Sequence, residues 1–222
     1  MKKLILLLVT PLMSFHLFAD KLKITVDEKS ENIGGGNHNA LVVTIYDASP
    51  DDIIKEWKSK MKDYNAKVSG KDEIFADNAL IKEISDNTCD VYAKTEKVSD
   101  TETKFIVGFL LGETWLSSSN NPGPYKAAEK IVKDFATKMT KDAIGDKLKA
   151  EQKKLDKLND EQSDLEKKNK DLHDDIDTYN DKIKKAQDDI KTNEDAQTSK
   201  KAEIDAQQKA VDDLKARQDS VE

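Results

Sequence analysis

The sequence predicts an α+β protein, in which a small antiparallel sheet with helices packed on one face is followed by a long C-terminal α-helical coiled coil. Three observations support this prediction. Apolar and polar residues alternate in several short segments before residue 112, which is typical of strands with one solvated face. Apolar residues recur at helical spacing after Ser49 and after Pro124. From Leu148 onward, one hydrophobic heptad phase continues without proline or glycine.

The N-terminal segment has the features of a secretory signal. Lys2 and Lys3 precede an apolar run over 4–17, and Ala19 provides the small residue that a signal peptidase requires. We expect residues 1–19 to be a signal peptide that is either cleaved or retained as an anchor. The apolar run is shorter than the roughly 18 residues that a membrane span needs, and no later segment is more apolar. We therefore expect no stable membrane insertion after signal removal.

The remaining chain divides by composition into a head domain over 20–144 and a coiled-coil rod over 145–222. The protein contains 37 basic and 44 acidic residues, and its net charge is −7. An acidic chain lacks the basic surface that nucleic acid requires, so we expect no nucleic-acid partner. The basic residues are almost all lysine, and Asp, Asn and Ile are frequent, as in proteins from AT-rich genomes. Together with the signal, this composition predicts a periplasmic or secreted bacterial protein.

The head begins with a pattern of strands. Leu22, Ile24 and Val26 alternate with polar residues and predict a short first strand. The segment Glu31–Asn39 contains three glycines, but neither lysine nor serine follows at P-loop spacing, so it predicts a flexible connection rather than a phosphate site. Ala40–Tyr46 then predicts a second strand.

A helix is predicted after Ser49. This serine is a favourable N-cap, Pro50 suits the first helical position, and Asp51 and Asp52 are favoured near the positive end of the helix dipole. The apolar face of the helix contains Ile53, Trp57, Met61 and Tyr64. We expect Trp57 to be a core residue rather than part of a binding site.

Three further strands are predicted over Ala79–Ile84, Thr88–Thr95 and Thr103–Leu111, with short connections that fit hairpins. The inward positions of the last two strands are Cys89, Val91, Ala93, Phe105, Val107, Phe109 and Leu111. Cys89 is the only cysteine, so the chain has no internal disulfide. We expect it to be a small buried side chain.

The segment Thr114–Pro124 predicts an unusual loop. Its possible partner-binding residues are Trp115, Ser117, Ser118 and Asn120. Pro124 predicts the start of a helix that packs against the sheet. The apolar face of that helix contains Tyr125, Ala128, Ile131, Val132, Phe135 and Met139. Gly145 costs a helix about 1 kcal/mol relative to alanine, so the helix either continues into the rod or bends at this residue.

The rod has an apolar seam at the a and d positions of the heptad. The oligomerisation residues that it predicts are Leu148, Leu155, Leu158, Leu165, Asn169, Leu172, Ile176, Tyr179, Ile183, Ile190, Ile204, Val211 and Leu214. Isoleucine at a, leucine at d and asparagine at one a position favour a parallel two-stranded coil. Two features weaken that interpretation. Glu161 would face Glu166 across a parallel interface, and residues 193–200 form a polar, weak joint. The alternatives are therefore a parallel oligomer, a long helix that is locally loose, and a hairpin that folds back at this joint.

The sequence contains no metal-binding spacing, nucleophile elbow, Walker loop or dinucleotide fingerprint. We therefore predict a non-enzymatic protein with no catalytic, metal or cofactor site. The predicted function is that of an exported envelope protein whose head binds an unknown protein partner and whose rod mediates self-association or spacing. The first alternative is a periplasmic holdase-type chaperone that grips clients with the tail. The second is a small-ligand-binding α+β domain.

Overall fold

The computed structural model describes residues 22–220, so the predicted signal peptide lies outside the described residues. The head contains a seven-stranded antiparallel sheet and two helices. The elements are β1 Val26–Ile33, β2 Gly36–Tyr46, α1 Pro50–Asp63, β3 Lys67–Ser69, β4 Glu73–Ala79, β5 Cys89–Lys97, β6 Glu102–Leu111, β7 Thr114–Trp115 and α2 Pro122–Asp219. The strand order is β1-β2-β6-β5-β4-β3, and β7 pairs with β6.

The first hairpin differs from its sequence prediction. Residues 22–25 form no strand, and β1 begins where the predicted first strand was expected to end. The predicted flexible loop Glu31–Asn39 is also wrong, because only Gly34 and Gly35 lie between β1 and β2. Both glycines have positive φ, at 63° and 81°, which is the conformation that two-residue hairpin turns require. The hairpin is therefore long and tightly closed.

The strand predicted over Ala79–Ile84 is also misplaced. Ala79 ends β4, and a turn follows in which Ile81 and Ile84 are nonetheless buried. The two-residue spacing of Ala79 and Ile81 gives the alternation that suggested a strand, although the backbone after Ile81 is a turn in which Ile84 N donates to Ile81 O over 2.9 Å. The short strand β3 was not predicted from the sequence. In contrast, β5, β6 and the tight connection between them confirm the predicted hairpin.

The first helix confirms its predicted start. Ser49 Oγ accepts a hydrogen bond from Asp52 N, as an N-cap does, and Pro50 is the first helical residue. Ile53, Trp57 and Met61 are fully buried against one face of the sheet. The Trp57 ring meets Phe105 of β6 edge to face at 5.1 Å. Trp57 is thus a core residue, as predicted.

The second helix begins at Pro122, two residues earlier than predicted. All six predicted apolar residues of its first turns are buried, and Phe135 packs edge to face on Trp57 at 4.9 Å. Thr140 Oγ1 accepts a hydrogen bond from Tyr46 N of β2 over 3.1 Å. The start of α2 and α1 therefore share the same face of the sheet, which confirms the predicted antiparallel sheet with helices packed on one face.

Gly145 lies inside α2, and the helix continues past it. Residues 193–200 are helical, so the alternative in which the chain folds back at this joint is wrong. The chain divides into two compact units, Met1–Ala150 and Glu151–Glu222. Within the second unit, every side chain over 151–220 is exposed.

Candidate functional site

The predicted seam residues all lie on α2, and all of them are exposed. Leu148 exposes 67% of its surface, Leu165 63% and Leu214 63%, whereas Val211, the most covered, exposes 37%. Leucine and isoleucine are among the residues most often buried in proteins, so a row of them in water is unusual. The described chain therefore carries a long apolar surface with no covering element.

The spacing of the seam indicates how it would be covered. A seven-residue repeat drifts by about 20° per heptad on a straight helix of 3.6 residues per turn. A flat surface could follow such a stripe for only a few turns. A second helix that supercoils with the first can follow it throughout, with each seam residue inserted between residues of the partner. The geometry of the seam thus favours another long helix as its partner.

The weak joint over 193–200 is held by hydrogen bonds within the helix. Gln197 Nε2 donates to Asn193 Oδ1 over 2.5 Å, and Thr198 Oγ1 donates to Glu194 O over 3.0 Å. Lys200 pairs with Glu203 one turn later at 2.5 Å. These pairs are between residues three or four apart, the spacing at which helical side chains meet. Polar seam residues here therefore stabilise the helix while they interrupt its apolar surface.

The predicted partner-binding loop is divided between two environments. Trp115 belongs to β7 and pairs with Leu110 of β6, so it is not on a free loop. Ser117 is buried, and its Oγ accepts a hydrogen bond from Asn120 N over 3.0 Å. Ser118 and Asn120 are exposed. Only these last positions remain on the surface in the way that the sequence suggested.

Glu28 of β1 fixes this loop to the sheet. Its carboxylate accepts hydrogen bonds from Ser118 N over 3.0 Å and from Asn39 Nδ2 over 2.8 Å. Burial raises the pKa of Glu28, but the hydrogen bonds from Ser118, Asn39 and Tyr125 outweigh burial and leave the pKa below its ordinary value. Burial, with a contribution from the nearby Glu28 charge, raises the pKa of Tyr125 to about 12. The loop is therefore held in one conformation.

Sequence reasoning missed an aromatic row on the sheet face opposite the helices. The Trp115 ring stacks on His38 at 4.2 Å with an interplanar angle of 9°, and it lies 5.3 Å from Tyr92. Tyr92 in turn stacks on Phe75 at 4.8 Å. All four rings are partly exposed. The predicted inward positions Cys89, Val91 and Ala93 imply that Tyr92 between them points outward, and this was the one sequence signal for the row. The other members come from distant strands.

The aromatic row lies on a second, smaller apolar cluster. Its buried members are Ile33, Ala40, Val42 and Ile106. Beside it, Lys104 pairs with Glu31 at 2.9 Å and with Glu96 at 3.3 Å. The hydrogen bond that Lys104 donates to Glu31 is the main reason that the pKa of Lys104 is raised. These three charges next to the aromatic row are therefore paired with one another.

Cys89 is buried, as predicted, and burial raises its pKa to about 11. A thiol in this state is a poor nucleophile, because the thiolate is the reactive form. Between residues 22 and 220, no three His, Cys, Asp or Glu side chains are placed to hold a metal ion. None of the helices in that range has a stretch long and apolar enough to cross a bilayer.

A cleft of the head with a volume of about 430 Å³ lies between the start of α1 and α2. Its walls include Asp47, Asp52, Glu56, Asp142 and Asp146, together with two lysines. One of them, Lys147, pairs with Asp47 at 2.5 Å. The cleft is open to solvent and rimmed by carboxylates, unlike the mostly apolar pockets that enclose small ligands.

No protein family, no curated protein and no solved structure matches this chain. Arguments about its function therefore depend on its own residues.

Proposed function

We propose that this protein is a non-enzymatic exported envelope protein that associates with a second copy of itself through the seam of α2, while its head binds a protein partner. One observation carries the proposal. The large apolar residues of α2 between Leu148 and Leu214 are exposed and keep a single heptad phase. A second copy is the occupant that every solution of the protein contains, and it carries a seam of equal length.

The energy of covering the seam supports this choice. Burying one leucine or isoleucine side chain stabilises a protein by about 1.5–3 kcal/mol. The seam offers many such side chains on each copy, against the cost of restricting two chains and of enclosing polar positions such as Asn169. Helices in proteins also owe most of their stability to the packing of an apolar face rather than to helix propensity. Pairing therefore stabilises both the helix and its apolar surface.

Export is supported by the charged and apolar N-terminal segment that ends near Ala19, and by a lysine-rich, acidic composition. For the head, we propose that Ser118 and Asn120 contribute to the partner surface. They are exposed beside β7, and Glu28 holds the backbone at Ser118 in place. A preorganised loop loses less conformational freedom on binding than a mobile one.

The test is the molar mass of the full mature chain, measured by light scattering during size-exclusion chromatography. Two lysines are introduced into the seam as Ile183→Lys and Ile190→Lys. The control variant carries Thr178→Lys and Thr192→Lys, which add the same charge on the outward face of the same helical segment. We expect the wild type and the control to be oligomeric and the seam variant to be monomeric. A monomeric wild type at high concentration contradicts the proposal.

The exposed seam also supports the holdase alternative, because an uncovered apolar surface can bind unfolded chains. The two functions differ in what covers the seam. If the wild type is monomeric and suppresses the aggregation of a denatured outer-membrane protein, whereas the Ile183→Lys, Ile190→Lys variant does not, the holdase function replaces self-association. The small-ligand alternative has less support, because the cleft described above is open and acidic.

A further inference from the structure

The polar and apolar residues of the seam follow nearly the same order when the seam is traced in either direction from a point between Lys184 and Lys185. Six of the eight polar seam residues then coincide with polar ones. These pairs are Glu151 with Gln218, Gln162 with Gln207, and Asn169 with Lys200. Apolar residues coincide as well, as Leu155 with Leu214, Leu158 with Val211, and Leu165 with Ile204. In this heptad phase, Leu148 and every seventh residue after it are a positions, and Glu151 and every seventh residue after it are d positions. Each of the pairs above joins an a position to a d position.

This arrangement matters because helix direction determines which residues meet. In a parallel pair in register, each seam residue faces its own copy, so a meets a and d meets d. When one helix is reversed, a residues face d residues. The pairs named above are therefore the ones that a reversed second copy would bring together.

Parallel pairing would place like charges against each other. Glu151 and Lys200 both occupy d positions, and each would meet itself inside the seam. At the flanking positions, Glu161 would face Glu166 and Asp189 would face Glu194, twice each. None of the corresponding flanking pairs between Lys147 and Lys215 joins opposite charges. Enclosed like charges are costly. Within its own helix Glu151 pairs with Lys154 and Lys200 with Glu203, but exposed pairs of this kind contribute little.

We propose that two copies of this chain pair antiparallel through the α2 seam, with the two-fold axis between Lys184 and Lys185. This inference rests on the self-association proposed above and assigns its direction and register. Lys200 then faces Asn169 of the second copy, whose side-chain oxygen can accept a hydrogen bond from the ammonium group. Glu151 faces the amide of Gln218, which can donate to the carboxylate. Each charged seam residue thus meets a neutral polar one.

Around the axis the seam is apolar. Ile183 faces Ala186 of the second copy, and Tyr179 faces Ile190. Small and large side chains alternate here, which allows close packing. The seam residues from Tyr179 to Ile190 therefore meet only apolar residues of the second copy.

In this register, two pairs of seam positions still join an apolar residue to a polar one, and we call these mixed pairs. Leu172 faces Gln197, and Ile176 faces Asn193 of the second copy. The two polar side chains are hydrogen-bonded to each other within one helix, between Gln197 Nε2 and Asn193 Oδ1, which lowers the cost of enclosing them. A slip of one heptad is worse in either direction. In one direction it creates three mixed pairs and places Glu151 against Val211, and in the other it creates five and places Lys200 against Ile176.

The antiparallel direction has a functional consequence. Each head is covalently joined to its own seam at the Leu148 end, so two antiparallel copies attach their heads at opposite ends of the paired segment. Such a dimer links two partners to each other. A parallel dimer would instead present two heads side by side to one partner.

The test is disulfide crosslinking of the full mature chain, with buried Cys89 left in place and the wild type as control. Facing seam positions bring Cβ atoms close enough for a disulfide, which needs a Cβ separation of about 3.5–4.5 Å. The double variant Leu155→Cys, Leu214→Cys is compared with each single variant. We expect oxidation to shift the double variant to dimer mass on a non-reducing gel and to leave both single variants as monomers. The pair Leu158→Cys, Val211→Cys repeats the test in case the first variant fails to fold.

The other outcomes separate this inference from the proposed function. Crosslinking of Leu155→Cys alone shows parallel pairing and overturns the inference, while self-association stands. Preferential crosslinking of Leu148→Cys with Leu214→Cys shows the slipped register and also overturns it. If the protein is a dimer by light scattering but no cysteine variant crosslinks, the proposed register is overturned as well. A wild type that is monomeric by light scattering removes the proposed function and this inference together.

Discussion

Two glycines allow Trp115 to lie flat on the sheet. A Cβ atom on Gly108 would come within 2.6 Å of the Trp115 ring, and one on Gly34 within 2.5 Å. Contacts this short are repulsive, so neither position accepts a side chain without moving the indole. Gly34 also has positive φ, which alanine adopts only at a cost. These glycines are therefore structural requirements of the aromatic row.

The variant Gly108→Ala tests this packing. Alanine suits a strand better than glycine, so local propensity alone would make the change favourable or neutral. Because the new methyl group overlaps the Trp115 ring, we expect the free energy of unfolding to fall by about 2 kcal/mol. Urea unfolding followed by tryptophan fluorescence measures it. The control Gly145→Ala, which meets no atom within 4 Å, should raise stability by about 1 kcal/mol or less. Equal stabilities for the wild type and Gly108→Ala would contradict this account.

Cys89 should be unreactive in the folded protein. Its pKa of about 11 leaves roughly one thiol in a thousand ionised at pH 8, and its side chain is buried in β5. We expect an aromatic disulfide reagent to label the native protein far more slowly than the urea-unfolded protein, which should react at once. Labelling of the native protein at the rate of a free thiol would show that Cys89 is accessible.

At the scale of elements, Glu28 joins two segments that are far apart in sequence. One carboxylate on edge strand β1 holds the loop before α2 through Ser118 N and holds β2 through Asn39. Asn39 Nδ2 also donates to Leu116 O over 2.6 Å. The loop therefore depends on the ionised state of Glu28, because a carboxylate is the stronger acceptor.

The pH dependence follows from the lowered pKa of Glu28. Its folded pKa lies below the unfolded value, so its contribution is present above the unfolded pKa and is lost as pH falls through the folded pKa. We expect Glu28→Gln to lower the free energy of unfolding by about 1 kcal/mol at pH 7 and by much less at pH 3. Urea unfolding at the two pH values measures this difference. Glu113→Gln, at an exposed position, should have no such effect. If Glu28→Gln lowers the free energy of unfolding equally at both pH values, the charge of Glu28 does not stabilise the loop.

The sequence predicted those elements whose signals are local. Ser49 and Pro50 mark the start of α1 by capping and fixed φ, and the alternation around Val91 marks β5. Strand β1 was missed because its sequence, VDEKSENI, is polar, as suits an exposed edge strand. Its pairing with β2 is determined by partners that the sequence pattern does not reveal. The same reason explains why the contact between His38 and Trp115 could not be predicted.

At the scale of the whole molecule, the seam is the feature that sequence alone describes best. A heptad repeat requires only that a helix forms, so its residues, such as Leu165 and Ile183, could be named in advance. What covers the seam depends on a second surface that the repeat does not contain. The order of charged and polar residues along the seam adds information about that surface. In a parallel pair these residues would meet like charges, whereas in an antiparallel pair they meet neutral polar residues.

Self-association should make the melting temperature of the rod, but not that of the head, depend on protein concentration. Both tryptophans, Trp57 and Trp115, lie in the head, so fluorescence reports head unfolding alone. Circular dichroism at 222 nm is dominated by α2, which contains 98 residues. Because association stabilises the paired state by mass action, we expect the midpoint of the helical transition to fall on each tenfold dilution. The fluorescence midpoint should stay constant.

The seam variant with Ile183→Lys and Ile190→Lys supplies the control for this measurement. Each lysine places a charge in the apolar centre of the interface, so the variant should melt at a lower temperature that does not depend on concentration. Its head should unfold at the wild-type midpoint, because residues 183 and 190 lie outside the first compact unit. If the wild-type helix also melts independently of concentration, α2 is stable as a single helix, and the exposed seam then needs a partner other than its own copy.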